Sequence, residues 1–236
     1  MLLSGCTILR PHQWPKGSGN IVLTFDDGPT PGKGTERLLD VLKKREVKAT
    51  FCLIGQNVTA NPDVVKRMER EGHTIANHTF SHRLTLLRAR KMNAEIEETD
   101  AVIRSATGKA GFQTRLFRPP YGLMTPAVVF SRESSTRRLA YLTMYLGDAE
   151  ADAARAPKIM EKLKMRLLKE NGGAVVFHEM RYVPGNSSEK PGKEWLPAAV
   201  DELIVWARAN GLRFTTYQGE RSKYQDCLPA GIAFRK

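Results

Sequence analysis

Asp26 and Asp27 stand side by side after one apolar run, and His78 and His82 stand four residues apart after another. Two histidines at that interval share one face if the segment turns as a helix, and a divalent metal needs such a shared face. Alone, the pair fits two hydrogen-bonded loop histidines equally well. A nearby carboxylate changes the reading. Asp27 with His78 and His82 makes a two-histidine, one-aspartate ligand set with open positions left for water and substrate. In an extended backbone Asp26 and Asp27 project to opposite sides, so they should hold different jobs. One would bind the metal and the other would take a proton from an activated water. A solvated turn with Gly28-Pro29 is the plainer alternative for the acidic pair.

Three more residues fall at comparable places. Arg118 opens the rigid stretch Arg118-Pro119-Pro120-Tyr121-Gly122. A guanidinium there could hold a carboxylate base ionised and fix its direction, or it could form only a surface salt bridge. His178 leaves the dry run Ala174-Val175-Val176-Phe177. It is placed to give a proton to a departing amine, unless it is a satisfied structural histidine. Asp148 could pair with either His178 or Arg118. His12 and His73, the remaining two of five histidines, receive no role.

These positions make sense only if the chain brings them together. Ile21–Phe25, Thr50–Ile54, Thr74–Asn77, Arg115–Arg118, Leu139–Tyr145, Ala174–Phe177 and Leu212–Thr216 read as strands, several of them apolar throughout. Between them, Thr35–Glu46, Asn61–Glu71, Lys91–Ala106, Ala156–Lys169 and Leu196–Ala209 carry helical periodicity. Apolar strands with helical crossovers predict a parallel sheet covered on both faces. About seven such units in this length predict an α/β fold, a closed or distorted (β/α) barrel. In that architecture function sits at the C-terminal ends of the strands, where Asp26, Asp27, His78, His82, Arg118, Asp148 and His178 all fall.

The segments Thr24-Phe25-Asp26-Asp27-Gly28-Pro29, His78-Thr79-Phe80-Ser81-His82, Arg118-Pro119-Pro120-Tyr121-Gly122 and Val176-Phe177-His178-Glu179 resemble, in order and spacing, the motifs of the polysaccharide deacetylases of carbohydrate esterase family 4. The resemblance covers residues 20–216. It implies that Asp26 is the catalytic base and that Asp27, His78 and His82 hold zinc or a cobalt-type ion. It further implies that Arg118 supports the base, that the Tyr121 N–H helps bind the oxyanion, and that Val176 lines a pocket for the acetyl methyl. His178 would be the general acid, with Asp148 supporting it. The implied reaction removes N-acetyl groups from peptidoglycan or a chitin-like oligomer. Two departures stand out. Gly147-Asp148-Ala149-Glu150-Ala151-Asp152 lacks the tryptophan that the family usually places beside this aspartate, and Glu179 stands where aspartate is common. The second leaves the chemistry untouched; the first leaves one wall of the sugar groove open or rebuilt. An O-acetyl esterase of the same family and a non-catalytic glycan-binding relative are the competing expectations.

The remaining features bound the function. Lys and Arg number 37 against 25 Asp and Glu, so the 236-residue chain carries a net charge of +12 and favours anionic partners. No aromatic-and-basic stripe or nucleic-acid module accompanies that charge, which argues against nucleic acid as the partner. Cys6, Cys52 and Cys227 have no paired spacing, and Cys52 reads as a small buried hydrophobe. No stretch approaches the ~20 apolar residues of a membrane span. Leu3-Ser4-Gly5-Cys6 resembles a lipoprotein cleavage box, which would put a lipid anchor on Cys6. Only two residues precede it, fewer than the ~7–15 apolar residues of a signal core, so a chance match is the other reading. The organisation expected is an N-terminal segment over 1–19, the deacetylase domain over 20–216 and a C-terminal tail over 217–236, working outside the cytoplasm. Oligomeric state leaves no mark in the sequence.

Overall fold

A computed structural model describes residues 17–30, 32–140, 144–180 and 193–217, which places the expectation at Cys6 and nearly all of both terminal segments outside the described residues. Seven strands form one parallel sheet: β1 Asn20–Asp26, β2 Thr50–Leu53, β3 Thr74–Asn77, β4 Leu116–Phe117, β5 Arg138–Leu139, β6 Gly173–His178 and β7 Arg213–Thr215. Their order is β5-β4-β3-β2-β1-β6, with β7 beside the first half of β1. The helices are α1 Gly34–Lys44, α2 Gly55–Ala60, α3 Pro62–Arg70, α4 Ala89–Thr107, α5 Pro126–Val129, α6 Arg132–Ser135, α7 Ala156–Glu170 and α8 Leu196–Ala209. The expected distorted (β/α) barrel is what forms.

The segment expected as a strand over Leu139–Tyr145, of which 141–143 lie outside the described residues, pairs at its two ends with different strands. Leu139 pairs with Phe117, while Met144 bridges Val175 of β6. The chain therefore leaves β4 at one end of this segment and reaches β6 at the other, drawing the curled sheet into a ring. The short helix α2 is an element that the periodicity did not reveal; six residues are too few to show a period.

Strand alternation assigns the two faces. Ile21, Leu23, Phe25, Phe51, Leu53, Val175 and Phe177 point toward the helices and form the main core with Leu38, Leu39, Leu42, Leu163, Leu203 and Ile204. Phe25 stacks between Phe51 and Phe177, at centroid distances of 5.3 and 6.0 Å. The alternate residues line the inside of the ring. There the side chains are small, with Val22, Cys52, Ala76, Ala140 and Ala174 around Tyr217. Both faces are dry, which is why the strands look uniformly apolar in sequence. On the inner face, register sets Thr24 opposite Val176 and Asp26 opposite both Cys52 and His178. Polar groups thus collect at one end of the ring, where the strands terminate.

Candidate active site

β1 delivers Asp26 at its last position, and Asp27 then takes a left-handed φ of 72°. This turn overrides the alternation expected of two extended residues. Both carboxylates approach His78, with Asp26 Oδ2 4.0 Å and Asp27 Oδ1 3.5 Å from its Nε2. The turn is built by neighbours: the Glu179 N–H donates to Asp26 O (3.0 Å), the Ile54 N–H to Gly28 O (3.1 Å), and Asn57 Nδ2 to Asp27 O (2.6 Å). Gly28 is demanded by close approach, because a Cβ there would overlap Glu179 Oε1. Glu179 is buried and accepts the Thr35 hydroxyl. Burial outweighs that hydrogen bond and, with the charges of Asp27 and Asp26, pushes the Glu179 carboxyl up to about 8.

The helical turn expected for His78 and His82 is absent. Thr79 and His82 instead adopt left-handed φ values of 66° and 54°. The two imidazoles still converge, at a centroid distance of 4.8 Å, because the loop between them is tied down. The Thr79 N–H donates to Asn77 Oδ1 (2.9 Å), and Ser81 donates through N–H and hydroxyl to the Glu95 carboxylate (2.7 Å each). The first N–H groups of α2, from Gly55 and Gln56, donate to Thr79 O and Phe80 O at 3.0 Å. These bonds use helix-end donors that have no partner inside the helix.

Asp27 Oδ1 lies 3.5 Å from Nε2 of both His78 and His82. It is buried and has no hydrogen-bond donor. His78 Nδ1 sits 2.7 Å from Arg118 O, so it carries the proton and leaves the Nε2 lone pair facing Asp27. Burial alone would raise the Asp27 carboxyl, but the close approach of His78 and His82 holds it below the usual carboxylate range. Among the described residues this is the one group whose ligand atoms, all within 4.8 Å of one another, could hold a metal ion. Two imidazole nitrogens and an orphaned carboxylate oxygen converging in this way fit a divalent cation.

Arg118 is 1% exposed. Its Nη1 donates to Asp26 Oδ1 and to Thr24 Oγ1 (2.9 Å), and its Nε donates to Ala140 O (2.8 Å). The surface salt bridge considered from sequence is therefore a buried pair inside the ring. Burial raises the pKa of the Tyr217 phenol, and the charge of Arg118 opposes that rise. Burial pulls the Arg118 charge down, while Asp26 more than restores it. Cys52 shares the same dry interior as a free thiol, and burial pushes its pKa up. It is the small buried residue expected.

Across β1, His178 Nδ1 meets Asp148 Oδ1 at 3.0 Å, and the His178 N–H donates to Asp148 Oδ2 at 2.7 Å. Of the two partners open to Asp148 in sequence, the structure selects His178 and not Arg118. Asp148 lies in a short 3-10 turn, Asp148–Glu150, that follows the Met144 bridge. Burial pulls the His178 imidazole down, but the hydrogen bond and charge of Asp148 win, so its pKa is raised. The Asp148 carboxyl is correspondingly lowered, since His178 and Lys193 outweigh burial.

Tyr121, at φ 59°, turns the chain after the two prolines and sets its ring 4.8 Å from His82. Val176, buried opposite Thr24, lies two residues before His178 on the same face. In place of the tryptophan missing beside Asp148, Tyr145 presents a ring that is 45% exposed, edge-on to His178 at 5.5 Å. Trp195 lies behind the same turn and donates from Nε1 to Ala151 O (3.3 Å). Sequence reasoning missed Lys193 and Tyr217. Neither belongs to a motif, and nothing in the residues around them signals a buried polar partner.

The polysaccharide deacetylase family model matches residues 14–139, more than half of the chain. A peptidoglycan-N-acetylglucosamine deacetylase of Bacillus cereus is 40% identical over 109 residues, covering 46% of this chain and 38% of that protein. The chain thus spans about two fifths of the length of that curated relative. A chitooligosaccharide deacetylase of a Bradyrhizobium species is 34% identical over 170 residues, or 72% of this chain and 74% of that one. Among solved structures, a deacetylase with bound substrate superposes with a TM-score of 0.69 at 30% identity, covering 84% and 88% of the two chains. By sequence and by fold, this chain belongs to the polysaccharide deacetylase family.

Proposed function

We propose that this chain hydrolyses N-acetyl groups on a sugar polymer, peptidoglycan or a chitin-like oligomer, with a divalent metal, zinc before cobalt, held by Asp27, His78 and His82. The observation that carries the reading is the division of labour at the end of β1. Asp26 is fixed by Arg118, while the neighbouring Asp27 is turned toward two imidazoles. When bound, the metal supplies Lewis acidity, polarising an amide carbonyl and lowering the pKa of a water.

The chain's own groups do the rest. Asp26 takes the proton of the attacking water through Oδ2, while Arg118 holds Oδ1. The Tyr121 N–H donates to the oxygen that becomes negative as the carbonyl carbon turns tetrahedral. His178, pinned at Nδ1 by Asp148, presents Nε2 to the sugar nitrogen. It gives up a proton there as the C–N bond breaks, releasing acetate and a free amine. Val176 walls the acetyl methyl, and Tyr145 and Tyr121 offer faces to pyranose rings. The net charge of +12 suits an anionic wall polymer, and the peptidoglycan named for one relative supports a reading in which the work is done outside the cytoplasm.

The test is acetate release from chitooligosaccharides, peptidoglycan and an O-acetylated xylan, with chelator-treated and zinc-restored protein in parallel. Zinc-dependent release from the N-acetyl substrates is expected. Release from the xylan alone would make the chain an esterase, and no release with metal bound would make it a glycan-binding relative.

A further inference from the structure

Lys193 has no exposed side-chain surface, yet it ends in a charge. Its Nζ donates to Asp148 Oδ2 at 2.9 Å and to the Asp148 carbonyl at 2.5 Å. Its own N–H donates to Glu179 O at 3.2 Å, and the ammonium lies 5.6 Å from the Trp195 ring centroid. A lysine buried this completely is costly unless paired, and a methionine of similar shape would fill the same space. Asp148 receives that charge at both a carboxylate oxygen and its carbonyl. His178 by itself engages both Asp148 oxygens, Oδ1 through Nδ1 and Oδ2 through its N–H, and Lys193 Nζ adds a second donor on Oδ2 while also holding the Asp148 carbonyl, which ties the carboxylate to its own backbone turn.

The second consequence is electrostatic. His178 faces Asp148 from the 3-10 turn, the Tyr145 ring, and the charges of Asp26 and Asp27 from β1. These carboxylates hold the imidazolium proton more tightly, Asp26 less so for its pairing with Arg118 and Asp27 less so when a metal is bound. Lys193 bonds Asp148 from behind and offsets part of the carboxylate charge that faces His178. An acid that holds its proton too tightly donates poorly, so a cation at this spot favours transfer.

We propose that Lys193 is a positioning residue of the proton donor, the third member of a Lys193–Asp148–His178 chain that aims the imidazole and sets how readily it releases its proton. The role in turnover rests on the reading of His178 as general acid given above. The experiment compares zinc-loaded wild type, Lys193→Met and Lys193→Arg. Two readouts are used: the pH profile of kcat and KM for acetate release, and the NMR titration of the His178 ring. Lys193→Met is expected to lower kcat about ten- to hundredfold, as loss of a supporting partner does. It should leave KM nearly unchanged and move both the alkaline limb and the His178 titration to higher pH. Lys193→Arg, which keeps the charge, should restore the titration toward wild type. A folded Lys193→Met protein with unchanged kcat and an unmoved His178 titration would overturn the proposal. If Lys193→Met does not fold, Lys193→Gln removes the charge while keeping a donor, and carries the same expectation. If no substrate releases acetate from wild type, the general-acid reading fails, while the NMR titration still decides whether Lys193 governs His178.

Discussion

Arg118 and Asp26 lie 92 positions apart in the chain and form one buried ion pair, its geometry fixed by Thr24 and Ala140. Neither member has solvent to fall back on, since both side chains are under 5% exposed. Removing the cation leaves a carboxylate buried without its partner. Arg118→Met is therefore expected to cost about 3–5 kcal/mol of stability as well as activity, which urea unfolding of the metal-free protein measures. A loss under 1 kcal/mol would show that Asp26 finds another partner.

Asp26→Asn keeps the shape of the base and removes its ability to take a proton. Acetate release should fall by about 10²- to 10⁴-fold, the usual contribution of a positioned base. Zinc affinity, read by calorimetry, should stay close to wild type because the Asp27–His78–His82 set is intact. A variant with normal turnover would remove Asp26 from the mechanism.

Metal binding should be visible as stability. Zinc at 100 times its Kd raises the unfolding free energy by about 2.7 kcal/mol if only the folded chain binds it. His82→Ala should abolish that zinc-dependent rise in Tm, and chelation should stop acetate release in wild type. An unchanged rise in His82→Ala would place the metal elsewhere.

The pH dependence separates two histidines. The His178 pKa is raised by Asp148, so its protonated form persists above the ordinary value of 6.5 and activity is lost only as pH climbs through the raised value. Its contribution to stability has the same sign, present below 6.5 and lost with rising pH. Asp148→Asn should bring the alkaline limb of the rate profile down. A limb that stays in place would sever the two residues functionally.

His73 behaves oppositely. It is buried against Phe51, with the Ala49 N–H donating to its Nδ1 at 3.2 Å. Burial, aided by Lys48, lowers its pKa from 6.5 to about 4. Between those values the unfolded chain binds a proton that the folded chain refuses. Stability should thus fall with decreasing pH by about 1.4 kcal/mol per unit on this account. His73→Gln, which keeps an acceptor for Ala49, should flatten that slope in denaturant titrations. An equal slope in the variant would assign it to other groups.

What the sequence determined by itself is the set of parts. Uniformly apolar runs such as Ala174–Phe177 can be stable only as strands dry on both faces, and amphipathic runs such as Leu196–Ala209 only as helices laid over them. Asp26, Asp27, His78 and His178 were legible because they follow such runs, and His82 and Arg118 because of the spacing and rigid stretch they belong to. The tertiary structure decided how those parts meet. Local geometry alone would have sent Asp26 and Asp27 to opposite sides and put His78 and His82 on a helix. Left-handed residues at Asp27, Thr79 and His82 do otherwise, held by Asn57 and Glu95 from other segments and by the adjacent Asn77. Asp148 could have paired with Arg118 until β6 was placed beside β1. Lys193 could not be seen at all, because a buried cation is defined by what surrounds it, and its surroundings come from Asp148, Glu179 and Trp195 only once the ring has closed.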